Sequence, residues 1–144
     1  MLSIPDYTNN GFYLACAILA KTETTAVLNA FAKTVQDVIG HELRPDSPDL
    51  AELFRRDTGK QTAVYNGFRG NSTLHQLAMN SAITEVAKAI LGHDEIDLLQ
   101  KSPFRIDIPM ETKELAVWHQ DYFYVGGDPR TITVWVPFQN TDYF

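Results

Sequence analysis

The sequence predicts an α+β protein in which N-terminal helices cover a sheet built from the second half of the chain. Before Gly92, apolar residues recur every three or four positions, and after it they alternate with polar ones. A length of 144 residues, 44% of them hydrophobic, suffices for one domain with one core. We therefore expect a single domain over 1–144, with a helical front over 1–92 and core strands over 93–144.

Composition excludes several classes of protein. Eighteen acidic residues against twelve basic ones give a net charge of −6, which argues against nucleic-acid binding. The longest apolar stretch, residues 12–20, is too short for a membrane span and lacks the basic flank of a signal peptide. The single cysteine, Cys16, excludes an intramolecular disulfide. These features predict a cytoplasmic protein that binds neither nucleic acid nor membranes.

The helical front is predicted to open with a short strand and a long helix. Residues 11–19 are mostly apolar and follow an Asn-Asn-Gly turn, which favours a buried strand. Thr22 is a suitable N-cap for the helix, and Glu23 suits the positive end of its dipole. Gly40 is a suitable stop. The apolar face of this helix comprises Val27, Ala30, Phe31, Val35 and Val38.

Two further helices are predicted before Gly92. Two prolines make residues 44–48 a loop, after which Ser47 or Asp49 can cap a short helix. The clearest helix runs from residue 72 to 91 and is closed by Gly92. Its apolar stripe comprises Leu74, Leu77, Ala78, Ala82, Val86 and Ile90. Helices of this kind usually serve as cover for a core.

Three strands are predicted after Gly92. Residues 104–108 alternate strictly between apolar and polar side chains, and residues 115–124 and 131–138 read as further strands. A Gly-Gly-Asp-Pro cluster at 126–129 predicts the turn between the last two. A sheet of so few strands would leave unpaired edges, which invite association with another chain.

The candidate chemistry lies in the tripeptide His119-Gln120-Asp121. On a strand, residues two apart face the same side, so His119 and Asp121 would present a nitrogen and a carboxylate oxygen together while Gln120 faces away. These are two of the three ligands of the two-histidine, one-carboxylate triad that binds Fe(II). The tripeptide alone also fits a hydrogen-bonded pair that merely orients a strand.

The surrounding sequence resembles the phytanoyl-CoA dioxygenase family of Fe(II)/2-oxoglutarate-dependent oxygenases. The shared features are the segment 104–109, the motif Trp-His-Gln-Asp-Tyr at 118–122, a Gly-rich turn, and the segment 133–139. An Asn-Gly-Phe start and a helix that ends in Leu-Gly are similar to the family's lead-in. The resemblance implies an incomplete double-stranded β-helix, or jelly roll, with Fe(II) as cofactor and 2-oxoglutarate and dioxygen as cosubstrates. It also implies hydroxylation of a small organic substrate.

The resemblance assigns roles to individual positions. His119 and Asp121 match the first two iron ligands, and Trp135 matches an aromatic residue near the 2-oxoglutarate. The alternative for Trp135 is a core aromatic. The polar positions Arg105 and Asp107 match places that line the cosubstrate pocket, and their alternative is a charge pair within the sheet. The last two positions, which could border the substrate or be surface aromatics, are Tyr122 and Tyr124.

Two features of the family have no match. The third ligand is a downstream histidine, followed by an arginine for 2-oxoglutarate, whereas no histidine follows His119 and the last basic residue is Arg130. His41, His75 and His93 precede the motif and are expected to be surface or capping residues. We therefore expect the N-terminal half of a dioxygenase, truncated before its third ligand and inactive alone.

Three alternatives to that expectation are a non-catalytic small-molecule-binding module, a half-enzyme completed by another chain and a zinc hydrolase. The zinc hydrolase would need further ligands near the motif.

Overall fold

The computed structural model describes residues 5–99, 104–109, 119 and 121–139, and every regular element within these ranges is a helix. The helices are α1 (Pro5–Asn10), α2 (Lys21–Ile39), α3 (Pro48–Arg56), α4 (Thr58–Phe68), α5 (Ser72–Ala78), α6 (Ser81–Leu91) and α7 (Tyr122–Val125). The described ranges contain no strand, so the α+β fold with an incomplete jelly roll is a wrong prediction. None of these helices is long and apolar enough to cross a membrane.

Helix α2 forms the centre of the fold and matches its sequence signals closely. It begins after Ala20, whose amide donates to the Glu23 carboxylate at 2.7 Å, so the predicted cap Thr22 lies inside the first turn. It ends at Gly40, where φ is 89° and the amide donates to the Gln36 carbonyl at 2.9 Å. Glycine reaches this left-handed conformation without a Cβ clash, so the predicted stop is confirmed.

Helix α3 begins at one of the two predicted caps. The Ser47 hydroxyl accepts a hydrogen bond from the Leu50 amide at 3.2 Å, which satisfies a donor that the first turn leaves unpaired. Helix α4 is not predicted by the sequence, because Gly59 and Gly67 lie within it. A Cβ on Gly67 would lie 3.2 Å from the Thr34 methyl group, so the glycine lets α4 approach α2 closely.

The helix predicted over residues 72–91 is two helices. The break lies at Asn80, whose side-chain oxygen accepts from the Ala82 amide at 2.8 Å and so caps α6. The side-chain amide of Asn80 also donates to Glu23 at the start of α2. The Asn80 side chain thus accepts from a first-turn amide of α6 and also hydrogen-bonds to α2. Within a continuous helix that amide would be paired with a backbone carbonyl instead. The end at Gly92, with φ of 71°, is confirmed.

The core lies between α2, α3, α4 and α5 and includes one residue from beyond the helices, Ile108. Fully burying an aliphatic or aromatic side chain stabilises the fold by about 1.5–3 kcal/mol. The buried side chains of this cluster are Val27, Phe31, Val35, Leu50, Phe54, Val64, Phe68, Leu77 and Ile108.

The packing of residues 104–109 shows why their alternating pattern gave a wrong prediction of a strand in a sheet. Their alternation is real, since Phe104 and Ile106 are half-buried, Ile108 is buried, and Arg105 and Asp107 are exposed. The apolar side chains contact the helical core rather than a sheet. Alternation reports which side of an extended segment is buried, and it does so whether the cover is a sheet or a helix pair.

This segment is fixed by rings and by side-chain hydrogen bonds. The Phe104 ring lies 4.8 Å from the Phe68 ring and 5.4 Å from the Phe31 ring. The Arg55 guanidinium donates to the Pro109 carbonyl at 3.2 Å, and the Gln61 side chain donates to the Ile106 carbonyl at 3.5 Å. These donors take the place that a neighbouring strand would occupy.

The other predicted strands are also wrong where the structure describes them. Residues 11–19 form turns and irregular chain, residues 122–125 form the single turn α7, and residues 131–138 adopt no regular structure. The part of the second strand at 115–118 lies outside the described residues. An isolated strand is unstable without a partner that accepts its backbone hydrogen bonds. The described ranges contain no sheet edge, and association through unpaired edges stays a prediction.

Candidate functional site

The structure brings His119 and Asp121 together. The His119 Nε2 atom lies 3.0 Å from the Asp121 Oδ1 atom. Their side chains are 29% and 37% exposed, so each is packed by neighbours yet open to a ligand from solvent. The predicted juxtaposition of imidazole and carboxylate is therefore present.

The local backbone that produces this pair differs from the predicted strand. Asp121 has φ of −60° and ψ of −31°, which is helical, and it stands at the N-cap of α7. Its carboxylate makes no capping hydrogen bond to α7, so both oxygens are available to other groups. The prediction that Gln120 faces the opposite side falls outside the described residues.

A third side chain, Thr133, completes the contacts of Asp121. The Thr133 hydroxyl donates to Asp121 Oδ2 at 2.6 Å, while Oδ1 faces His119. Sequence reasoning placed Thr133 in a predicted strand and in the segment 133–139 that resembles the family, but assigned it no role. The Gly126-Gly127 pair was the one signal in the sequence for this contact. A turn there can bring a later hydroxyl, such as that of Thr133, back towards Asp121.

The two tyrosines predicted near the substrate have different surroundings. The Tyr124 ring contacts the His119 imidazole edge-on, with centroids 5.0 Å apart and planes at 82°. The Tyr122 ring contacts Phe123 instead, at 4.1 Å between centroids. Tyr124 therefore borders the pair, and most of its side chain is exposed.

Trp135 is 68% exposed, so its alternative reading as a core aromatic is wrong. Val136 and Phe138 of the same segment are the residues that contact the helical core. The role of Trp135 beside 2-oxoglutarate stays a prediction.

Arg105 and Asp107 form a charge pair, with the Arg105 Nη2 atom 2.7 Å from the Asp107 Oδ1 atom. The pair lies on the solvent side of the segment that covers α3 and α4, not within a sheet. Their role as lining of a cosubstrate pocket stays a prediction.

Arg130, the last basic residue, is engaged in its own turn. Its guanidinium donates to both Asp128 oxygens, at 2.9 and 3.0 Å, and its amide donates to Asp128 at 2.8 Å. These hydrogen bonds lower the pKa of Asp128 to about 2 and raise the pKa of Arg130. The Arg130 Nη1 atom also lies 3.3 Å from His93 Nε2. Binding the carboxylate of a ligand would require Arg130 to exchange Asp128 for it.

The donor geometry of the His119–Asp121 pair fits one metal ion. Two ligands at right angles, each about 2.1 Å from an ion, lie about 3 Å from each other. The observed 3.0 Å separation meets this requirement and equally suits a direct hydrogen bond. An imidazole nitrogen and a carboxylate oxygen are donors that suit Fe(II).

A complete ligand set is not assembled among the described residues. In those ranges no group of three or more histidine, cysteine, aspartate and glutamate side chains is placed to hold an ion. The pair therefore supplies two donors, and a third would come from outside the described ranges or from another chain.

The chain matches no family model, no curated protein and no solved structure in the three comparisons made.

Proposed function

We propose that this chain carries the first two iron ligands of an Fe(II)/2-oxoglutarate-dependent dioxygenase that hydroxylates a small organic substrate. The observation that carries the proposal is the 3.0 Å approach of His119 Nε2 to Asp121 Oδ1, with the second carboxylate oxygen engaged by Thr133. The resemblance of residues 104–139 to the phytanoyl-CoA dioxygenase family supports the same assignment.

Each residue has a chemical task in this proposal. The neutral imidazole of His119 supplies a nitrogen donor, and the carboxylate of Asp121 supplies an oxygen donor that offsets part of the ion's charge. Tyr124 limits rotation of the imidazole, and Trp135 offers an apolar surface to the organic part of a ligand. Fe(II) with 2-oxoglutarate, when bound, supplies the activation of dioxygen that C–H hydroxylation requires.

Two donors hold a metal ion weakly, so the proposal predicts little or no turnover by this chain alone. The third donor and the residue that binds the distal carboxylate of 2-oxoglutarate would complete the site, either from residues outside the described ranges or from another chain. Stoichiometric succinate formed by the purified 144-residue chain would contradict this part of the proposal.

The proposal includes a cytoplasmic location. Cys16 is a free, exposed thiol, which suits a reducing compartment. Fe(II) is also kept in its reduced form most readily in such a compartment.

The proposal is tested by anaerobic titration of Fe(II) into the apo-protein with 2-oxoglutarate present. We expect the weak visible charge-transfer band of an iron–2-oxoglutarate complex at high iron concentration, lost in His119→Ala and in Asp121→Ala. His41→Ala is the matched control, because His41 is an exposed histidine next to the end of α2. Absence of the band in the wild-type chain, or its persistence in His119→Ala, would overturn the assignment.

A non-catalytic small-molecule-binding module is the second candidate. It is favoured by the contacts among His119, Asp121 and Thr133, which satisfy one another without an ion. Calorimetric titration of 2-oxoglutarate in the presence of a chelator separates the two. Binding without metal supports the module, whereas binding that requires Fe(II) supports the dioxygenase.

A further inference from the structure

We propose that Thr133 is a positioning residue for the metal, an inference that rests on the proposed function of the His119–Asp121 pair. Its hydroxyl holds one oxygen of Asp121 so that the other faces the ion together with His119. No family role or motif in the sequence analysis assigned a function to Thr133.

A hydrogen bond to one carboxylate oxygen favours ligation through the other oxygen alone. The two oxygens are chemically equal, and rotation about the Cβ–Cγ bond exchanges them. The Thr133 hydroxyl donates to Oδ2 at 2.6 Å, and Oδ1 then lies 3.0 Å from His119 Nε2. The short O–H···O⁻ contact is of the strong, charge-assisted kind. It therefore holds the plane of the carboxylate, so that one oxygen is occupied by Thr133 and the other faces the imidazole.

The Asp121 carboxylate is not used as a helix cap. A carboxylate at the start of a helix commonly turns back to accept hydrogen bonds from the first-turn amides. Here the Asp121 side chain makes no such bond to α7. Its two oxygens instead face His119 and Thr133.

The chain between Asp121 and Thr133 is built to hold the hydroxyl in place. Gly126 and Gly127 have φ of 78° and 112°, and the Thr131 amide donates to the Asp128 carbonyl at 2.8 Å in the turn that follows. The φ of 112° at Gly127 is one that L side chains rarely adopt, so a substitution there would strain the turn. The Arg130 guanidinium also donates to both carboxylate oxygens of Asp128, an ion pair within the turn that we call the Asp128–Arg130 clamp. Thr133 is therefore fixed from the turn that precedes it.

The chain that follows Thr133 is held by contacts with the helical core. Val136 and Phe138, a few residues further on, contact the buried cluster. The hydroxyl is thus carried by a segment anchored at both ends, although no sheet is described there. Groups that hydrogen-bond a metal ligand from behind typically change metal affinity or activity by about 10–100-fold when removed.

The test measures binding of Co(II) alone, by its visible absorption, to four variants and the wild-type chain. Thr133→Val and Thr133→Ala remove the hydroxyl, Thr133→Ser retains it, and Thr131→Val makes the same change two residues away as a control. We expect Thr133→Val and Thr133→Ala to weaken Co(II) binding by about 10–100-fold. Thr133→Ser and Thr131→Val should stay close to the wild-type value.

A purely structural role for Thr133 predicts a different pattern. It would lower the melting temperature in Thr133→Val and Thr133→Ala while the folded fraction binds Co(II) normally, so thermal unfolding is followed by circular dichroism on the same samples. Wild-type affinity in both hydroxyl-free variants, or an equal loss in Thr133→Ser, overturns the inference and leaves the proposed function intact. If the wild-type chain binds no Co(II), the proposed function fails, and this inference fails with it.

Discussion

Replacement of Phe104 by alanine removes the ring that joins residues 104–109 to the helical core. Phe104 is half-buried, and its ring lies 4.8 Å from Phe68 and 5.4 Å from Phe31. Its contacts are with helices, so the substitution tests whether this segment belongs to the helical core rather than to a sheet. We expect Phe104→Ala to lower the free energy of unfolding substantially.

The expected magnitude follows from burial and ring contacts. Fully burying a phenylalanine is worth about 1.5–3 kcal/mol, and each close ring pair adds about 0.5–1.5 kcal/mol. Half of the burial term and two ring pairs together predict a loss of about 2–4 kcal/mol. With a urea m-value of about 2 kcal/mol/M, a loss of 3 kcal/mol lowers the unfolding midpoint by about 1.5 M.

The assay is urea unfolding followed by far-ultraviolet circular dichroism, which reports the helices directly. Phe123→Ala is the matched control, since its ring is 70% exposed and contacts only its neighbour Tyr122 among the described ring pairs. We expect the control to shift the midpoint little. Equal midpoints for Phe104→Ala and Phe123→Ala would refute the packing of residues 104–109 on the helices.

Two further predictions concern a helix cap and a turn. Ser47→Ala should lower the free energy of unfolding by about 1 kcal/mol in the same urea assay, because it removes the side-chain cap of α3. Ser81→Ala, within α6, is the control and should cost less. Equal effects of the two substitutions would refute the capping role of Ser47. The pKa of Asp128 is lowered to about 2 because Arg130 donates to its ionised form. This contact therefore stabilises the fold fully above about pH 4, and its contribution is lost as the pH falls through about 2. A carboxyl-carbon NMR titration should give a midpoint near 2 that rises in Arg130→Gln, and a wild-type midpoint near 4 would contradict the clamp.

Local signals in the sequence predicted the ends of helices well. Gly40, Ser47 and Gly92 act where they were expected, because a left-handed stop or a side-chain cap depends on a few adjacent residues. Helix α4 and the break at Asn80 were not predicted. Each has a local cap that the sequence analysis did not use, Asp57 for α4 and Asn80 for α6. Their packing depends on distant contacts, which are the approach of Gly67 to α2 and the hydrogen bond from Asn80 to Glu23.

The sheet was predicted from alternation, and alternation alone cannot distinguish a sheet from another apolar cover. Residues 104–108 alternate as expected, yet Ile108 is buried among helices. A strand exists only when a partner accepts its backbone hydrogen bonds, and that partner is a tertiary property. The predicted fold class is therefore wrong, although the side chains of residues 104–108 that were predicted to be buried do face the core.

The candidate site shows the same division between local and distant information. His119 and Asp121 are close because they are two residues apart, even though the backbone at Asp121 is helical and not extended. Thr133 joins them from twelve residues away, and its position depends on a turn and on anchoring to the core. No periodicity in the sequence marks such a contact.

The central claim is that His119 and Asp121 bind the same metal ion. The most direct test is the Fe(II) affinity, measured anaerobically, of the wild-type chain, His119→Ala, Asp121→Ala and the double variant. If the two residues share one ion, each single variant loses most of the affinity and the double variant loses little more, since such effects are strongly non-additive. Independent, additive losses, or unchanged affinity in either single variant, would contradict the claim.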